Sequence, residues 1–233
     1  MRASAGGKHG LTRRRGCRHL FLALLAQLAA SSLRLMEQQT TTAATGVAGL
    51  VLAAGAAQRF GAAKQLARLD GLALVVRVVR ALAPACPTGV VVMTGAYQEE
   101  VAMALAAEPA RCVYNPGWRA GMGSSIGRGL DQLGAQTSAA LVALADQPGI
   151  QTTHFLALVD AWQQQPDRPA AAVYEGHAGV PAIFPRSYWP ALQLLQGDRG
   201  ARSLLRDCAG LTAVDLPAAA WDVDEPADLQ GRE

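Results

Sequence analysis

Residues 47–64 read VAGLVLAAGAAQRFGAAK, an apolar run of small and branched residues that ends in a glycine-containing turn with two cations. The apolar part, residues 47–53, is typical of a buried strand. Because the turn is rich in Ala and Gly, its backbone N–H groups can approach a phosphate, while Arg59 and Lys64 can neutralise charge on a triphosphate. The glycine spacing fits neither the dinucleotide-binding GxGxxG nor the Walker A motif. A strand-to-helix turn with two solvated cations is the alternative interpretation.

From residue 47 onward, short apolar runs alternate with amphipathic stretches, a pattern that predicts βαβ units and an α/β fold. We expect a Rossmann-like, three-layer α/β/α architecture with a mainly parallel sheet. Strands are predicted at residues 47–53, 89–94, 111–114, 139–143, 170–174, 180–184 and 211–215. Helices are predicted at residues 72–82, 98–106, 124–133, 152–163, 188–195 and 201–208. Loops after parallel strands share one edge of such a sheet, where ligands of open α/β folds bind.

The first 35 residues differ from the rest of the chain in charge. They hold seven Lys or Arg and no Asp or Glu, so the formal charge of +3 for the whole chain leaves −4 for residues 36–233. A mildly acidic body lacks the basic face of a nucleic-acid binder, so we expect no nucleic-acid partner. The four cysteines form no CxxC pair and therefore predict neither a zinc site nor a disulfide framework.

Residues 46–233 are predicted to form one domain, preceded at residues 1–45 by a poorly ordered or mis-annotated extension. Within this extension, a basic segment and the apolar run at residues 20–30 have the layout of a secretory signal. The alternative is a true start at Met36, which we favour because a triphosphate-binding turn predicts a cytosolic substrate. The apolar run is also too short to span a bilayer comfortably, so we expect no membrane association.

Two later segments carry carboxylates near predicted strand ends. In LVALADQPGI, residues 141–150, Asp146 follows an apolar strand, where it is well placed to hold Mg²⁺ against phosphate oxygens. In WDVDEPADL, residues 221–229, Asp222 and Asp224 lie two residues apart on an extended segment and are expected to share a side. Either can complete the metal site, and we favour Asp224. A cap on the turn that follows is the competing interpretation of Asp146.

The segment NPGWRAGMGSSIGRGL, residues 115–130, combines a proline turn with a predicted helix start. Ser124 is a favourable N-cap residue, and the free N–H groups and hydroxyls at such a helix start suit a polar ligand. In a purely structural interpretation, Trp118 and Met122 pack in the core and Ser124 only caps the helix.

Taken together, these segments resemble the nucleotidyltransferases with the signature LAAGxSxRxGxxK, and more narrowly the molybdenum cofactor cytidylyltransferases. The second family carries NPxWxxGMxSSIxxGL, a DxP-type motif and a closing D-x-D/N-T-P-E-D-L, which this chain matches in order over residues 47–230. Ala57 stands where Ser is common, and Glu225 replaces the usual Thr. The resemblance implies that the first loop and the turn before the SSI string bind the nucleotide. The implied nucleotide-binding residues are Leu52, Ala53, Ala54, Gly55, Arg59, Lys64, Gly121, Ser124 and Ser125, the two serines helping to read a pyrimidine base.

Two further strings resemble acceptor-side segments of the same family. EGHAGVPAIF, residues 175–184, is similar to GxxGxP, and GDRGAR, residues 197–202, is similar to GDxGAR. An arginine here can grip a phosphate bidentately, although a solvated or interface arginine is the alternative. The acceptor-binding residues implied by the resemblance are His177, Gly179, Pro181, Arg199 and Arg202.

The resemblance implies a cytoplasmic, Mg²⁺-dependent enzyme that transfers CMP from CTP to the phosphate of molybdenum-loaded molybdopterin. Arg59, Lys64 and Asp146 would be its catalytic residues, with Asp146 and Asp224 as metal ligands. Its product, molybdopterin cytosine dinucleotide, would pass to a molybdoenzyme or an accessory chaperone. A guanylyltransferase for the same cofactor, a sugar-phosphate nucleotidyltransferase and a non-catalytic cofactor carrier remain as alternatives. A dinucleotide-dependent oxidoreductase would need the GxGxxG loop that the sequence lacks.

Overall fold

A computed structural model of the chain describes residues 46–197 and 200–229. The predictions for residues 1–45 and for Arg199 lie outside the described residues. Nine strands and six α-helices alternate along the part of the chain that the structure describes.

Seven of these strands form one sheet with the spatial order β5-β4-β1-β6-β8-β7-β9. They are β1 (Val47–Ala53), β4 (Val90–Thr94), β5 (Arg111–Tyr114), β6 (Ala139–Leu144), β7 (Ala170–Tyr174), β8 (His177–Pro185) and β9 (Thr212–Asp215). All neighbours are parallel except β8, which runs antiparallel to both β6 and β7. The remaining two strands, β2 (Arg68–Leu69) and β3 (Leu72–Ala73), pair in a separate hairpin. The expected mainly parallel sheet is confirmed.

Helices cover both faces of the sheet and create two apolar cores. The helices are α1 (Leu74–Leu82), α2 (Gln98–Ala104), α3 (Met122–Leu130), α4 (Thr152–Gln164), α5 (Trp189–Gln193) and α6 (Arg202–Arg206). On one face, Phe155 and Trp162 of α4 are buried with the apolar side of α1. On the other face, Ile126 of α3 and Trp189 of α5 pack against the alternate residues of the strands. Because burial of each large apolar side chain contributes about 1.5–3 kcal/mol, these two layers stabilise the α/β/α architecture.

Helix α3 lies close to β1 because one of its residues has no side chain. A Cβ atom at Gly129 would overlap the side chain of Leu50 in β1. The short distance between the two elements holds the start of α3 beside the carboxyl end of β1. The segment of residues 115–130 and the first glycine-containing loop are thereby brought to the same edge of the sheet.

Two tight turns account for the main differences from the predicted elements. Residues 72–73, predicted to begin a helix, instead pair with β2 across Asp70-Gly71, whose φ angles are +51° and +79°. Strand β8 begins at His177 rather than at residue 180, because Glu175-Gly176 turns the chain directly from β7, with φ angles of +51° and +78°. Positive φ at both central residues is what a two-residue type I′ hairpin turn requires, and Asp-Gly is a strong sequence signal for it.

Helix ends also shift relative to the predictions, while most strand limits agree within one residue. Helix α3 begins at Met122, so Gly121, with a φ of +98°, takes the cap position that was predicted for Ser124. Helices α2, α5 and α6 are shorter than predicted, ending at Ala104, Gln193 and Arg206. Among the described residues, no helix combines the length and the apolar composition needed to cross a membrane.

Candidate functional site

A cleft of about 520 Å³ opens at the carboxyl ends of β1 and β6. Ten of the residues singled out from the sequence line it, namely Leu52, Ala53, Ala54, Gly55, Arg59, Lys64, Gly121, Ser125, Asp146 and Asp224. Ser124 does not line the cleft, since its hydroxyl donates to the carbonyl oxygens of Gly121 at 2.8 Å and Gly117 at 3.0 Å. The structure therefore brings the first loop, the start of α3 and two distant acidic segments to one cavity.

Two carboxylates and two cations form a charged cluster in this cleft. Lys64 Nζ lies 2.6 Å from Asp146 Oδ2 and 3.0 Å from Asp224 Oδ1. Arg59 Nη1 lies 3.2 Å from Asp224 Oδ2, and its side chain is 77% exposed, whereas that of Lys64 is 20% exposed. Burial alone would lower the pKa of Lys64, but the charge of Asp146 and the hydrogen bonds to both carboxylates outweigh it and raise that pKa. The charged ammonium of Lys64 is consequently held in place at the cleft, while the guanidinium of Arg59 is largely exposed to solvent.

Hydrogen bonds between loops hold the two acidic segments together. The backbone N–H of Val223 donates to the carbonyl oxygen of Asp146 at 2.9 Å. The buried Gln147 donates from Nε2 to the carbonyl oxygens of Ala219 at 2.9 Å and Val180 at 3.3 Å. Gln147 was not singled out from the sequence, although its position beside Asp146 was the available signal. Its amide joins the segment after β6 to the segments that carry Asp224 and β8.

The first loop is held by two side chains that the sequence analysis did not select. Gln65 is buried, and its Nε2 donates to the carbonyl oxygens of Ala53 and Gly55, both at 3.4 Å. The hydroxyl of Tyr97 donates to the carbonyl oxygen of Ala56 at 3.4 Å. Because both side chains donate to carbonyl oxygens, neither of them occupies the N–H groups of the loop. This arrangement suits an anion-binding loop.

A second pocket of about 250 Å³ adjoins the cleft and shares Leu52, Met122 and Leu144 with it. Its polar lining comes from Tyr174, Arg202 and Asp222. Arg202 Nη2 donates to the Tyr174 hydroxyl at a long 3.4 Å. Loss of hydration, followed by the negative charge of Asp146, raises the pKa of Asp222 to about 6. The two carboxylates expected to share a side are thus divided, with Asp224 in the cleft and Asp222 in the second pocket.

Of the four acceptor-side residues that the structure describes, only Arg202 lines the second pocket. His177 packs its ring 5.1 Å from that of Tyr174, and its Nε2 atom is buried and has no hydrogen-bond partner in the part of the chain that the structure describes. Gly179 lies beneath the same tyrosine, where a Cβ atom would overlap the Tyr174 hydroxyl. Pro181 lies within β8. His177 and Gly179 thus contact a pocket residue, Tyr174, that the sequence analysis did not identify.

The oxygen atoms of Asp146 and Asp224 are the candidate metal ligands. Asp146 Oδ1 is buried and has no hydrogen-bond partner among the described residues, while its other oxygen and Asp224 share the ammonium of Lys64. No group of three or more His, Cys, Asp or Glu side chains in the described part of the chain is arranged to hold a metal ion. Two carboxylates alone do not complete the coordination of a metal ion, so a hard divalent ion such as Mg²⁺ would have to take its other ligands from phosphate oxygens and water.

Comparison with known proteins gives the wider context of this arrangement. Residues 49–215 match the family model described as the MobA-like NTP transferase domain. The chain is 34% identical over 169 residues to nicotine blue oxidoreductase of Paenarthrobacter nicotinovorans, covering 69% of this chain and 81% of that protein. It is 30% identical over 231 residues to the bifunctional IPC transferase and DIPP synthase of Rubrobacter xylanophilus, covering 84% of this chain and 53% of that protein. The chain thus spans about half the length of the second relative.

A solved structure shares the architecture. The homologue of Mycobacterium tuberculosis Rv0371c from Mycobacterium sp. strain JC1 superposes with a TM-score of 0.67 at 26% identity, covering 79% of this chain and 93% of that chain. This similarity confirms the nucleotidyltransferase type of α/β fold expected from the sequence. On the match of the family model over residues 49–215, which include the first loop and Asp146, the chain belongs to the MobA-like NTP transferase family.

Proposed function

We propose that this chain transfers CMP from CTP to the phosphate of molybdenum-loaded molybdopterin, releasing pyrophosphate and forming molybdopterin cytosine dinucleotide. The observation that supports a nucleotidyl transfer most directly is the contact of Lys64 with Asp146 at 2.6 Å, in a cleft that also holds the first loop. Membership of an NTP transferase family supports the same class of reaction. CTP and the pterin acceptor rest on the sequence resemblance alone.

The reaction is an in-line displacement at the α-phosphorus of CTP. An oxygen of the acceptor's phosphate forms the new P–O bond, and the bond from the α-phosphorus to the bridging oxygen breaks, so that pyrophosphate leaves with the electron pair. A phosphate monoester is already anionic near neutral pH, so the step needs no strong general base. What the protein must supply is alignment and compensation of charge, which is the role we give to Lys64 and Arg59.

Mg²⁺ is part of this proposal, with Asp146 and Asp224 as its protein ligands. When bound, a divalent ion would withdraw charge from the phosphate oxygens of the donor and help to orient them. The buried, unpartnered Oδ1 of Asp146 supports this assignment. In the proposed complex, the ammonium of Lys64 leaves the two carboxylates and donates to the triphosphate.

The second pocket is the proposed site of the acceptor. Its position next to the cleft would bring an acceptor phosphate toward the α-phosphorus, and Arg202 supplies a guanidinium suited to a phosphate. We assign supporting roles to His177, Gly179 and Pro181, and we keep Arg199 as an acceptor-binding candidate. The enzyme would act in the cytoplasm and deliver its product to a molybdoenzyme or to that enzyme's accessory chaperone.

One relative favours a second candidate function. A protein that is 34% identical over 169 residues is named an oxidoreductase, so similarity to this chain does not by itself imply nucleotidyl transfer. The same cleft would then hold a redox cofactor in place of CTP. Against this candidate stands the absence of a GxGxxG loop after β1. A guanylyltransferase or a sugar-phosphate nucleotidyltransferase would keep the reaction class and change only one substrate.

The experiment is a pyrophosphate-release assay with the full chain, Mg²⁺, molybdenum-loaded molybdopterin and each of the four NTPs in turn. We expect pyrophosphate with CTP, together with formation of the cytosine dinucleotide detected by mass spectrometry. Release with GTP alone would identify GTP as the donor in place of CTP. Release only with a sugar phosphate in place of the pterin would identify the sugar phosphate as the acceptor. No release in any combination, with NADH or NADPH oxidised in the presence of a quinone or dye acceptor, would replace the proposal with the oxidoreductase function.

A further inference from the structure

Asn115 is a buried polar residue at the end of β5 that no part of the proposed reaction uses. Its side chain is 3% exposed and makes three hydrogen bonds of ordinary length. Nδ2 donates to Ser124 Oγ at 2.9 Å and to Ser125 Oγ at 3.0 Å, while Oδ1 accepts from the backbone N–H of Gly117 at 3.0 Å. One amide therefore ties the proline turn to both serines of α3.

The orientation of this amide follows from its neighbours. A backbone N–H can only donate, so the Asn115 atom that faces Gly117 N must be the oxygen. The NH₂ group then necessarily faces the two serines, and each of its hydrogens meets one hydroxyl oxygen. Rotation of the amide by 180° would bring two donors together at Gly117, so the alternative orientation is excluded.

This orientation decides what the two hydroxyls can do. Both serine oxygens are used as acceptors by Asn115, so each hydroxyl proton must point elsewhere. The proton of Ser124 goes to the carbonyl oxygens of Gly117 and Gly121. Ser125 is buried and lines the cleft, and none of the hydrogen bonds resolved among the described residues uses its proton. The Ser125 proton is thus free to be donated, and Ser125 lines the cavity in which we place the nucleotide.

We infer that Asn115 is a positioning residue that keeps the Ser125 proton free for donation to the base of the bound nucleotide. The inference rests on the nucleotide site of the proposed function and adds how that site reads its ligand. A proton held free in this way can be donated to a base atom with a lone pair, such as O2 or N3 of cytosine. Ser124, whose proton stays within the turn, acts only as a structural residue.

The test separates the base from the phosphates by comparing two probes, CTP and inorganic tripolyphosphate, both titrated calorimetrically with Mg²⁺ into the full chain. Asn115→Asp has nearly the same shape but replaces the NH₂ donor with an acceptor, so Ser125 must turn its proton toward residue 115 and away from the cleft. We expect the Kd for CTP to rise about tenfold or more, because one hydrogen bond is lost and two acceptors are brought together. The Kd for tripolyphosphate should rise less, because the added carboxylate repels the phosphates of both probes and only CTP also loses the hydrogen bond from Ser125.

Further variants distinguish polarity from packing. Asn115→Ala removes more atoms but leaves the Ser125 proton free, so CTP binding should suffer less than in Asn115→Asp; a purely structural role predicts the reverse order. Combining Asn115→Asp with Ser125→Ala should cost no more than the larger single effect, since both act through one hydrogen bond. Gln132→Glu makes the same amide-to-carboxylate change outside the cleft and serves as the matched control.

The outcomes separate this inference from the proposed function. If Asn115→Asp weakens CTP and tripolyphosphate equally, or if wild-type protein binds both equally, the inference is overturned while a triphosphate site remains. If CTP binding shows the expected split but no transfer to the pterin occurs, the acceptor assignment fails and the inference stands. If Asn115→Asp does not fold, as judged by circular dichroism, the Kd values of Asn115→Ala and Ser125→Ala for CTP and for tripolyphosphate are compared instead. A larger rise for CTP than for tripolyphosphate supports the inference, and equal rises overturn it.

Discussion

The two adjoining cavities differ in how their charged groups are paired. In the cleft, Lys64 contacts two carboxylates within 3.0 Å and Arg59 contacts one of them at 3.2 Å. In the second pocket, the hydrogen bond that Arg202 makes within the described ranges is a long one of 3.4 Å to a neutral hydroxyl, and the pKa of Asp222 is raised. An anion that enters the cleft must therefore compete with ion pairs already formed, whereas an anion that enters the second pocket meets a guanidinium with little competition.

This difference has a consequence for the order of events at the site. A triphosphate that draws Lys64 and Arg59 to itself frees Asp146 and Asp224 for a metal ion, so nucleotide and metal should each favour the binding of the other. In the second pocket, Arg202 forms no ion pair with any other described residue, so a ligand there has no such partner to exchange. We therefore expect the nucleotide and the metal ion to bind cooperatively in the cleft. A ligand of the second pocket should bind without such coupling.

The largest effect is expected from Lys64→Ala, because it removes the less exposed cation from the cleft. If Lys64 compensates charge on the donor as proposed, pyrophosphate release should fall about 100- to 1000-fold. Steady-state assays with CTP and the pterin acceptor measure this loss. Arg111→Ala on the edge strand β5 provides the control, since it removes an exposed cation whose side-chain hydrogen bonds to described residues go to Gln132. Comparable turnover in both variants would remove Lys64 from the mechanism.

The same substitution should have the opposite effect on metal binding in the absence of nucleotide. With the ammonium gone, Asp146 and Asp224 repel each other and no longer hold a competing cation, so Mn²⁺ used as a probe should bind about tenfold more tightly. The electron paramagnetic resonance signal of free Mn²⁺ reports this affinity directly. Asp146→Asn should weaken it instead. A weaker affinity in Lys64→Ala would mean that the carboxylates do not bind the metal as a pair.

A smaller effect is expected in the second pocket from Gly179→Ala. The added methyl group would displace the Tyr174 hydroxyl, so we expect a loss of about 1–3 kcal/mol in the free energy of unfolding and a rise of a few fold in the KM for the acceptor. Urea titration and steady-state kinetics measure the two quantities, and the KM for CTP should not change. Tyr174→Phe in the same chain should recover most of the stability. Gly134→Ala, where a Cβ would meet open space, is the control for the loss of a glycine.

The fold could be predicted largely from the sequence because the central strands are apolar on both faces. Strands β1, β5 and β7 have the limits expected, and the fold class follows from their alternation with helices. What could not be seen from apolar periodicity was the direction of β8, since an antiparallel strand buried among parallel ones is equally apolar. The Asp70-Gly71 hairpin, in contrast, could have been predicted from its Asp-Gly pair, but residues 72–82 were all assigned to a helix.

The residues of the site were predicted unequally, for a physical reason. Charged groups such as Lys64 and Asp146 stand out at strand ends, and the sequence pointed to them directly. Tyr174 and Gln147 are neutral, and their importance comes from partners that lie far away in the sequence, such as Arg202, 28 residues from Tyr174, and Ala219, 72 residues from Gln147. Asn115 is neutral too, and its contacts with Ser124 and Ser125 depend on the fold of the turn between β5 and α3. Only the folded chain shows that Gly179 accommodates a tyrosine ring.

The reversed strand β8 gives this architecture a place where substrate range can diverge. Its short connection to β7, Glu175-Gly176, opens at the same rim as the loops of the parallel strands, beside Tyr174 and Val180. Lengthening or reshaping that connection would remodel one wall of the smaller cavity, while the hydrogen-bond ladders between β1, β4 and β6 stay intact. Evolution, or a protein engineer, could in this way alter the proposed acceptor site and leave the proposed donor site unchanged.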